Sequence, residues 1–124
     1  MMDPGASPLD VGVLAELRSS VGDDQAFVVE LIDAYLSDGA EQLAAIDAAV
    51  EGNDAEALVR PAHTLKSSSA TLGALRLSAV ARQLEVAGRT AAVGATTAGH
   101  VAALHAEWDA ATDALRAWMA EGNR

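Results

Sequence analysis

The residue types with the clearest chemical potential stand together near the middle of the chain, in the segment AHTLKSSSATLGA at residues 62–74. If this segment is helical, His63, Lys66 and Ser67 are neighbours on one side of the helix. An imidazole is a nucleophile and a proton carrier near neutral pH, and an ammonium group one turn away attracts an anion to it. A phosphoryl group suits this pair, because its transfer depends mainly on positioning and charge neutralisation. The same residues are also compatible with an ordinary exposed histidine beside a solvated lysine.

Positive charge is concentrated around this segment. Lys66 is the only lysine in a chain whose formal net charge is −10. Residues 57–84 contain no carboxylate but four of the eight basic residues, so all 18 carboxylates lie outside this window. A basic surface of this kind suits a partner with an acidic site. The acidic remainder argues against nucleic acid or a membrane surface as a partner. The four basic residues of the window are Arg60, Lys66, Arg76 and Arg82.

Other kinds of active site lack their characteristic residues. The chain has no cysteine, which excludes disulfides, thiolate metal sites and cysteine nucleophiles. His100 and His105 are five residues apart, which misses the i, i+4 spacing of helical metal ligands, so we expect no bound metal. No phosphate-binding loop of the G-x-x-x-x-G-K type is present, which argues against an independent enzyme. The absence of a signal peptide or a long apolar run predicts a soluble, cytoplasmic protein.

Helices are the elements that must position His63. The 124 residues suffice for one domain and are rich in Ala and Leu, and no strand-length alternation occurs. Asn53 or Asp54 can cap a helix that runs from about Ala55 to about Thr71. On this helix His63 points roughly 130° away from the predicted core face, at 100° per residue. That face consists of Leu58, Ala62, Leu65, Ser69 and Leu72.

Four further helical segments surround this one. Their apolar periodicity and capping residues predict a short helix between Asp10 and Gly22, a long stretch from Asp23 or Asp24 to Gly52, a helix ending at Gly88 and a last helix from about His100 to Ala120. Residues 90–99 are predicted to be a loop. The expected fold is all-α: an antiparallel four-helix bundle with one or two short extra helices at the N-terminal side. Residues 1–8 are expected to be a disordered lead-in and residues 9–121 a single domain. The Met-Met start and this lead-in favour a free-standing protein.

Two positions leave alternatives open. Gly39 interrupts the apolar pattern of the long stretch and predicts either a bend or a boundary between two helices. Pro61 lies inside the histidine-bearing helix, where its missing N–H and its ring should kink the helix or restart it.

The motif resembles a known family. AHTLKSSSATLGA, followed by RQLE, is similar to the core motif of the histidine-containing phosphotransfer (Hpt) domain, which reads roughly H-x-L-K-G-S-[SA]-x-x-L-G. The preceding segment FVVELIDAYLSDGAEQLAAIDAAVEGNDAEALVRPAHTLK resembles the helices that come before this motif in the family. The resemblance covers about residues 10–118.

The resemblance implies a phosphorelay intermediate without kinase activity of its own. His63 would accept a phosphoryl group from the aspartyl phosphate of one receiver domain and pass it to an aspartate of another, while Lys66 stabilises the phosphoryl charge. The implied partners are response-regulator receiver domains and a hybrid sensor kinase. The protein itself is expected to be a monomer. No cofactor is expected on this chain, since the receiver supplies Mg²⁺. The partner-binding surface is expected to include Ser67, Ala70, Gly73, Arg76, Arg82 and Glu85, with Gly73 allowing tight packing and Glu85 contacting the histidine or the lysine.

Two residues depart from the family pattern. Ser67 occupies the position directly after the lysine, where the family usually has glycine, and we expect its hydroxymethyl group to tune partner docking or to bind the phosphoryl group. Pro61 replaces a residue that is usually not proline, and we expect it to stiffen the approach to His63. The alternative function is a non-catalytic helical adaptor that docks receiver or kinase domains without phosphotransfer.

Overall fold

The computed structural model describes residues 7–122 and contains five α-helices within them. Short connections join successive helices, so neighbours run antiparallel. The all-α bundle with one short extra N-terminal helix is as predicted. Residues 1–6 of the predicted lead-in lie outside the described residues, and Ser7 and Pro8 form no helix. The helices are α1 (Val11–Ser20), α2 (Gln25–Glu51), α3 (Ala55–Thr71), α4 (Leu75–Arg89) and α5 (Ala95–Gly122).

Aspartate caps begin the first three helices. The carboxylates of Asp10, Asp24 and Asp54 each accept a backbone N–H of the first turn at 3.0 Å. The sequence left open which of two neighbouring residues caps α2 and α3. In each case the residue before the cap, Asp23 or Asn53, has a positive φ and turns the chain instead.

Two interruptions predicted from single residues do not break their helices. The predicted helix boundary at Gly39 is wrong, because α2 continues through this residue. A Cβ on Gly39 would lie 2.5 Å from the Trp108 ring, so this glycine admits an aromatic side chain of α5. The restart at Pro61 is also wrong, since α3 is continuous and Pro61 is buried within it. The burial of the ring offsets the lost backbone hydrogen bond.

The last helix begins five residues earlier than predicted. The sequence predicts a loop over residues 95–99, but they form the start of α5. The hydroxyl of Thr97 accepts the backbone N–H of Gly94 at 3.0 Å and donates to the carbonyl of Ala92 at 3.3 Å, which stabilises this helix start. These small residues show no apolar periodicity, so the pattern did not reveal them.

The core lies between α2, α3, α4 and α5, and α1 packs on α2. No helix among residues 7–122 is long and apolar enough to cross a membrane. The fully buried large aliphatic side chains are Leu14, Val28, Ile32, Ile46, Leu58, Leu65, Leu77, Leu84, Leu104 and Leu115.

Candidate functional site

The buried and exposed faces of α3 are the ones that the sequence predicts. All five residues of the predicted core face are buried, whereas the side chain of His63 is 53% exposed. On the buried face the hydroxyls of Ser69 and Tyr35 are 2.8 Å apart and share a hydrogen bond. Burial raises the pKa of Tyr35 to about 12, partly opposed by the hydrogen bond to Ser69. The packing of this face fixes α3 and therefore the direction of His63.

A buried carboxylate from α4 joins His63 to Lys66. Oε2 of Glu85 lies 3.0 Å from Nδ1 of His63, and Oε1 of Glu85 lies 2.7 Å from Nζ of Lys66. The resemblance implied a polar residue that contacts the histidine or the lysine, and Glu85 contacts both. Its side chain is only 7% exposed. Glu85 is therefore placed beneath the site, and its contacts are within the molecule.

Arg89 completes the group, and the sequence analysis missed it. Its Nε and Nη2 atoms donate to Oε2 of Glu85 at 2.9 and 2.8 Å. The spacing of Glu85 and Arg89 is i, i+4, which favours an ion pair on a helix and was the available signal. Lys66 contributes most to holding the pKa of Glu85 down at about 2, and the hydrogen bonds from Arg89 and His63 add to it against the opposing effect of burial. Glu85 is thus ionised at neutral pH.

The ionised Glu85 determines which ring nitrogen of His63 is available. A carboxylate only accepts hydrogen bonds, so Nδ1 of His63 carries the proton that is donated to Glu85. Nε2 then holds the free lone pair on the exposed ring. The hydroxyl of Ser78 donates to the backbone carbonyl of Lys66 at 2.8 Å and ties this turn of α3 to α4. The site presents a nucleophilic nitrogen of fixed tautomer beside an ammonium group.

Small side chains border His63 on the outer face of α3. Ser67 and Ala70, one and two turns further along, are both exposed. The carbonyl of Ser67 accepts the hydroxyl of Thr71 at 3.0 Å. Nothing larger than a hydroxymethyl group stands at these two positions, so this side of the ring is accessible to another protein.

The remaining predicted site residues occupy different environments. Gly73 has φ +85°, and a Cβ there would lie 2.6 Å from the carbonyl oxygen of Asp10, so its close packing is with the start of α1. Arg76 donates through Nε and Nη2 to the two carboxylate oxygens of Glu107 in α5, at 2.8 and 3.0 Å. Arg82 is exposed. Together with Lys66 it lines a groove of about 640 Å³ whose other walls are Leu75, Ser78, Ala79, Gln83, Val86 and His100.

The other two histidines, His100 and His105, have different neighbours. Nε2 of His105 contacts both carboxylate oxygens of Asp47, at 2.8 and 3.0 Å, while His100 lines the groove beside Arg82. Across residues 7–122, no group of three or more His, Cys, Asp or Glu side chains is placed to hold a metal ion.

Comparison with known proteins agrees with this geometry. The chain is similar to the crystal structure of histidine-containing phosphotransfer protein B (HptB) from Pseudomonas aeruginosa PAO1, with a TM-score of 0.83 and 25% sequence identity over 92% of this chain and 96% of that one. A search of curated protein sequences gave no significant match. A family model described as "Hpt domain" matches residues 30–118, most of the chain. The protein therefore belongs to the Hpt domain family, the histidine phosphotransfer intermediates of phosphorelays.

Proposed function

We propose that His63 is the phosphoryl-accepting residue of this chain, with Lys66 as the cation that stabilises the phosphoryl group. The observation that carries the proposal is the contact of Glu85 with both side chains, at 3.0 and 2.7 Å. This contact leaves Nε2 of His63 as the free nucleophile and holds a cation one helical turn away. His105 is also paired with a carboxylate, but no Lys or Arg of the described residues joins that ion pair.

The transfer step uses the two ring nitrogens differently. The lone pair of Nε2 forms the N–P bond while the P–O bond of the donor's aspartyl phosphate breaks, and the aspartate leaves as a carboxylate. The ring becomes positively charged because Nδ1 keeps its proton. The Glu85 carboxylate stabilises that charge through the existing hydrogen bond, as a carboxylate does for the histidine of a catalytic triad. The same contacts serve the reverse step, in which a second aspartate takes the phosphoryl group.

The partner supplies the rest of the chemistry. Receiver domains and a hybrid sensor kinase are the proposed partners of a cytoplasmic monomer, and any Mg²⁺ belongs to the receiver, so this chain needs no cofactor or kinase activity of its own. Ser67 and Ala70 leave room for the receiver beside His63. Arg82 and the adjoining groove offer positive charge to an acidic receiver site. Arg76 and Gly73 act less directly, because Arg76 is bound to Glu107 and Gly73 packs on α1.

Phosphoryl transfer from a labelled receiver tests the proposal. Mixing the protein with a phosphorylated receiver domain should place an acid-labile, base-stable phosphate on His63. His63→Gln should abolish the label, while His105→Gln, the matched control for a paired and half-exposed histidine, should keep it. A label that survives His63→Gln contradicts the assignment. Receiver binding without any label on the wild-type protein supports the adaptor function instead.

A further inference from the structure

The two oxygens of Glu85 have different partners. Oε2 accepts from His63 and twice from Arg89, whereas Lys66 is the ion-pair partner of Oε1 among the described residues. In the structure Nζ of Lys66 therefore contacts Glu85, 2.7 Å from Oε1, although the proposed function requires the charge of Lys66 at the phosphoryl group. If Lys66 moves toward the phosphoryl group, its contact with Glu85 weakens.

Weakening that contact is costly for a buried carboxylate. The side chain of Glu85 is 7% exposed, so water does not replace the departing ammonium. An ionised group buried without a counter-charge is strongly unfavourable. If Lys66 were the only cation paired with Glu85, the ion pair would therefore hold Lys66 at Glu85 and away from the phosphoryl group.

Arg89 is placed to remove this conflict. Its guanidinium donates to Oε2 of Glu85 from within α4, whereas Lys66 of α3 contacts the other oxygen, Oε1. The side chain of Arg89 is 58% exposed, so its own charge stays hydrated while it pairs with Glu85. A guanidinium has five donors in a planar fork and can cover both carboxylate oxygens, which an ammonium does not do with the same geometry.

We propose that Arg89 is a positioning residue of the phosphotransfer site: it keeps the counter-charge on Glu85, so that Lys66 can transfer its contact from Glu85 to the phosphoryl group on His63. This inference rests on the proposed function of His63 and Lys66. Arg89 does not touch the phosphoryl group. It maintains the hydrogen bond between Glu85 and Nδ1 of His63 while Lys66 moves.

A double-mutant cycle measures this role. Phosphoramidate serves as the donor, because it phosphorylates histidine without docking of a receiver: its P–N bond breaks, ammonia leaves and the N–P bond to His63 forms. Lys66→Gln in the otherwise wild-type protein should slow this reaction about tenfold, which is the loss of one charge-assisted hydrogen bond. Arg89→Gln should slow it by a similar factor, because Lys66 then stays on Glu85.

The sign of the coupling separates positioning from a merely structural role. In the Arg89→Gln background, Lys66→Gln should cost less than about threefold, because Lys66 no longer serves the phosphoryl group. If Arg89 only stabilises the fold, the two effects multiply, and that result overturns the proposal. Arg89→Lys keeps the charge and should restore part of the rate. Failure of Arg89→Lys to recover any rate also counts against the counter-charge role.

Two controls keep the outcome interpretable. Arg116→Gln removes an exposed arginine of α5 and should leave the phosphoramidate rate and the Lys66→Gln effect unchanged. Thermal unfolding of each variant shows that the folded protein is being assayed. Absence of phosphate on His63 in the wild-type protein contradicts the proposed function itself, whereas phosphorylation with multiplicative effects contradicts the role of Arg89 alone.

Discussion

Among residues 7–122, two histidine–carboxylate pairs look alike by distance. His63 and Glu85 join α3 to α4 at 3.0 Å, and His105 and Asp47 join α5 to α2 at 2.8 Å. Both histidine side chains are about half exposed, at 53% and 45%. Judged by the hydrogen bond alone, either pair could orient an imidazole for chemistry.

The surroundings of the carboxylates distinguish the pairs. Glu85 is 7% exposed and forms ion pairs with Lys66 and Arg89, whereas Asp47 is 34% exposed and has His105 as its ion-pair partner among the described residues. The buried, doubly paired Glu85 stays ionised and fixed, and it brings a cation beside the ring. We infer that the environment of the carboxylate, rather than the hydrogen bond to histidine, distinguishes His63, the proposed phosphoryl acceptor, from His105.

Removing each carboxylate is the strongest test of this difference. Glu85→Ala removes the group that accepts the Nδ1 proton and stabilises the charged ring, so the rate of phosphorylation of His63 should fall about tenfold to a hundredfold, the value of one hydrogen bond to a charged group. Asp47→Ala, its matched control, should change that rate by less than about twofold, because Asp47 pairs with His105 and not with His63. Equal losses in single-turnover transfer from a phosphorylated receiver would show that the two pairs are not functionally distinct.

The dependence of stability on pH should also differ between the pairs. The pKa of Glu85 is lowered from 4.5 to about 2 in the folded protein, with Lys66 as the largest cause. A depressed carboxyl pKa contributes stability that is fully present above the unfolded value and is lost as the pH falls through the folded value. Glu85→Gln should therefore lower the free energy of unfolding by about 1–2 kcal/mol at pH 7, a figure reduced for the solvent exposure of Lys66 and Arg89.

Urea unfolding between pH 7 and pH 2 measures this contribution. The part of the difference between the wild-type protein and Glu85→Gln that comes from the lowered pKa of Glu85 should be fully present above about pH 5 and shrink toward pH 2. Asp47→Asn should cost less than about 1 kcal/mol at pH 7, as is usual for an exposed pair. A difference for Glu85→Gln that stays constant down to pH 2 would mean that the ionised carboxylate does not stabilise the fold.

Sequence patterns predicted the parts of this site that depend on one helix. The 3.6-residue period separates His63 from the core face of α3, and the capping residues placed the start of that helix, although the choice of Asp54 over Asn53 came from the structure. The family resemblance led to Glu85. The pairing of Arg76 with Glu107 was not predictable, because it joins residues 31 apart and depends on how α4 and α5 are rotated against each other.

Local signals also failed where packing across the bundle overrides them. Gly39 and Pro61 each predict an interruption by themselves, yet the Trp108 ring fills the space beside the glycine and the proline ring is buried in the core. Burial by other elements decides the outcome at such positions, and a single helix does not contain that information. Arg89 differs, since its i, i+4 relation to Glu85 is local and was visible in the sequence.

The smallest expected effect concerns access to His63. Ser67, four residues beyond His63, is exposed and small, whereas the residue four beyond His105 is the larger Asp109. If close approach of the receiver is part of what distinguishes His63, Ser67→Gly should raise the rate of transfer from a receiver about twofold to threefold and leave the rate with phosphoramidate unchanged, because the smaller donor does not need to dock. The helix should lose about 0.5 kcal/mol of stability from the glycine.

Ser68→Gly is the matched control: it carries a similar helix cost, but the side chain of Ser68 is half-buried and donates to the carbonyl of Leu65, so neither rate should rise. Slower transfer in Ser67→Gly with both donors would instead show that the Ser67 hydroxyl binds the phosphoryl group.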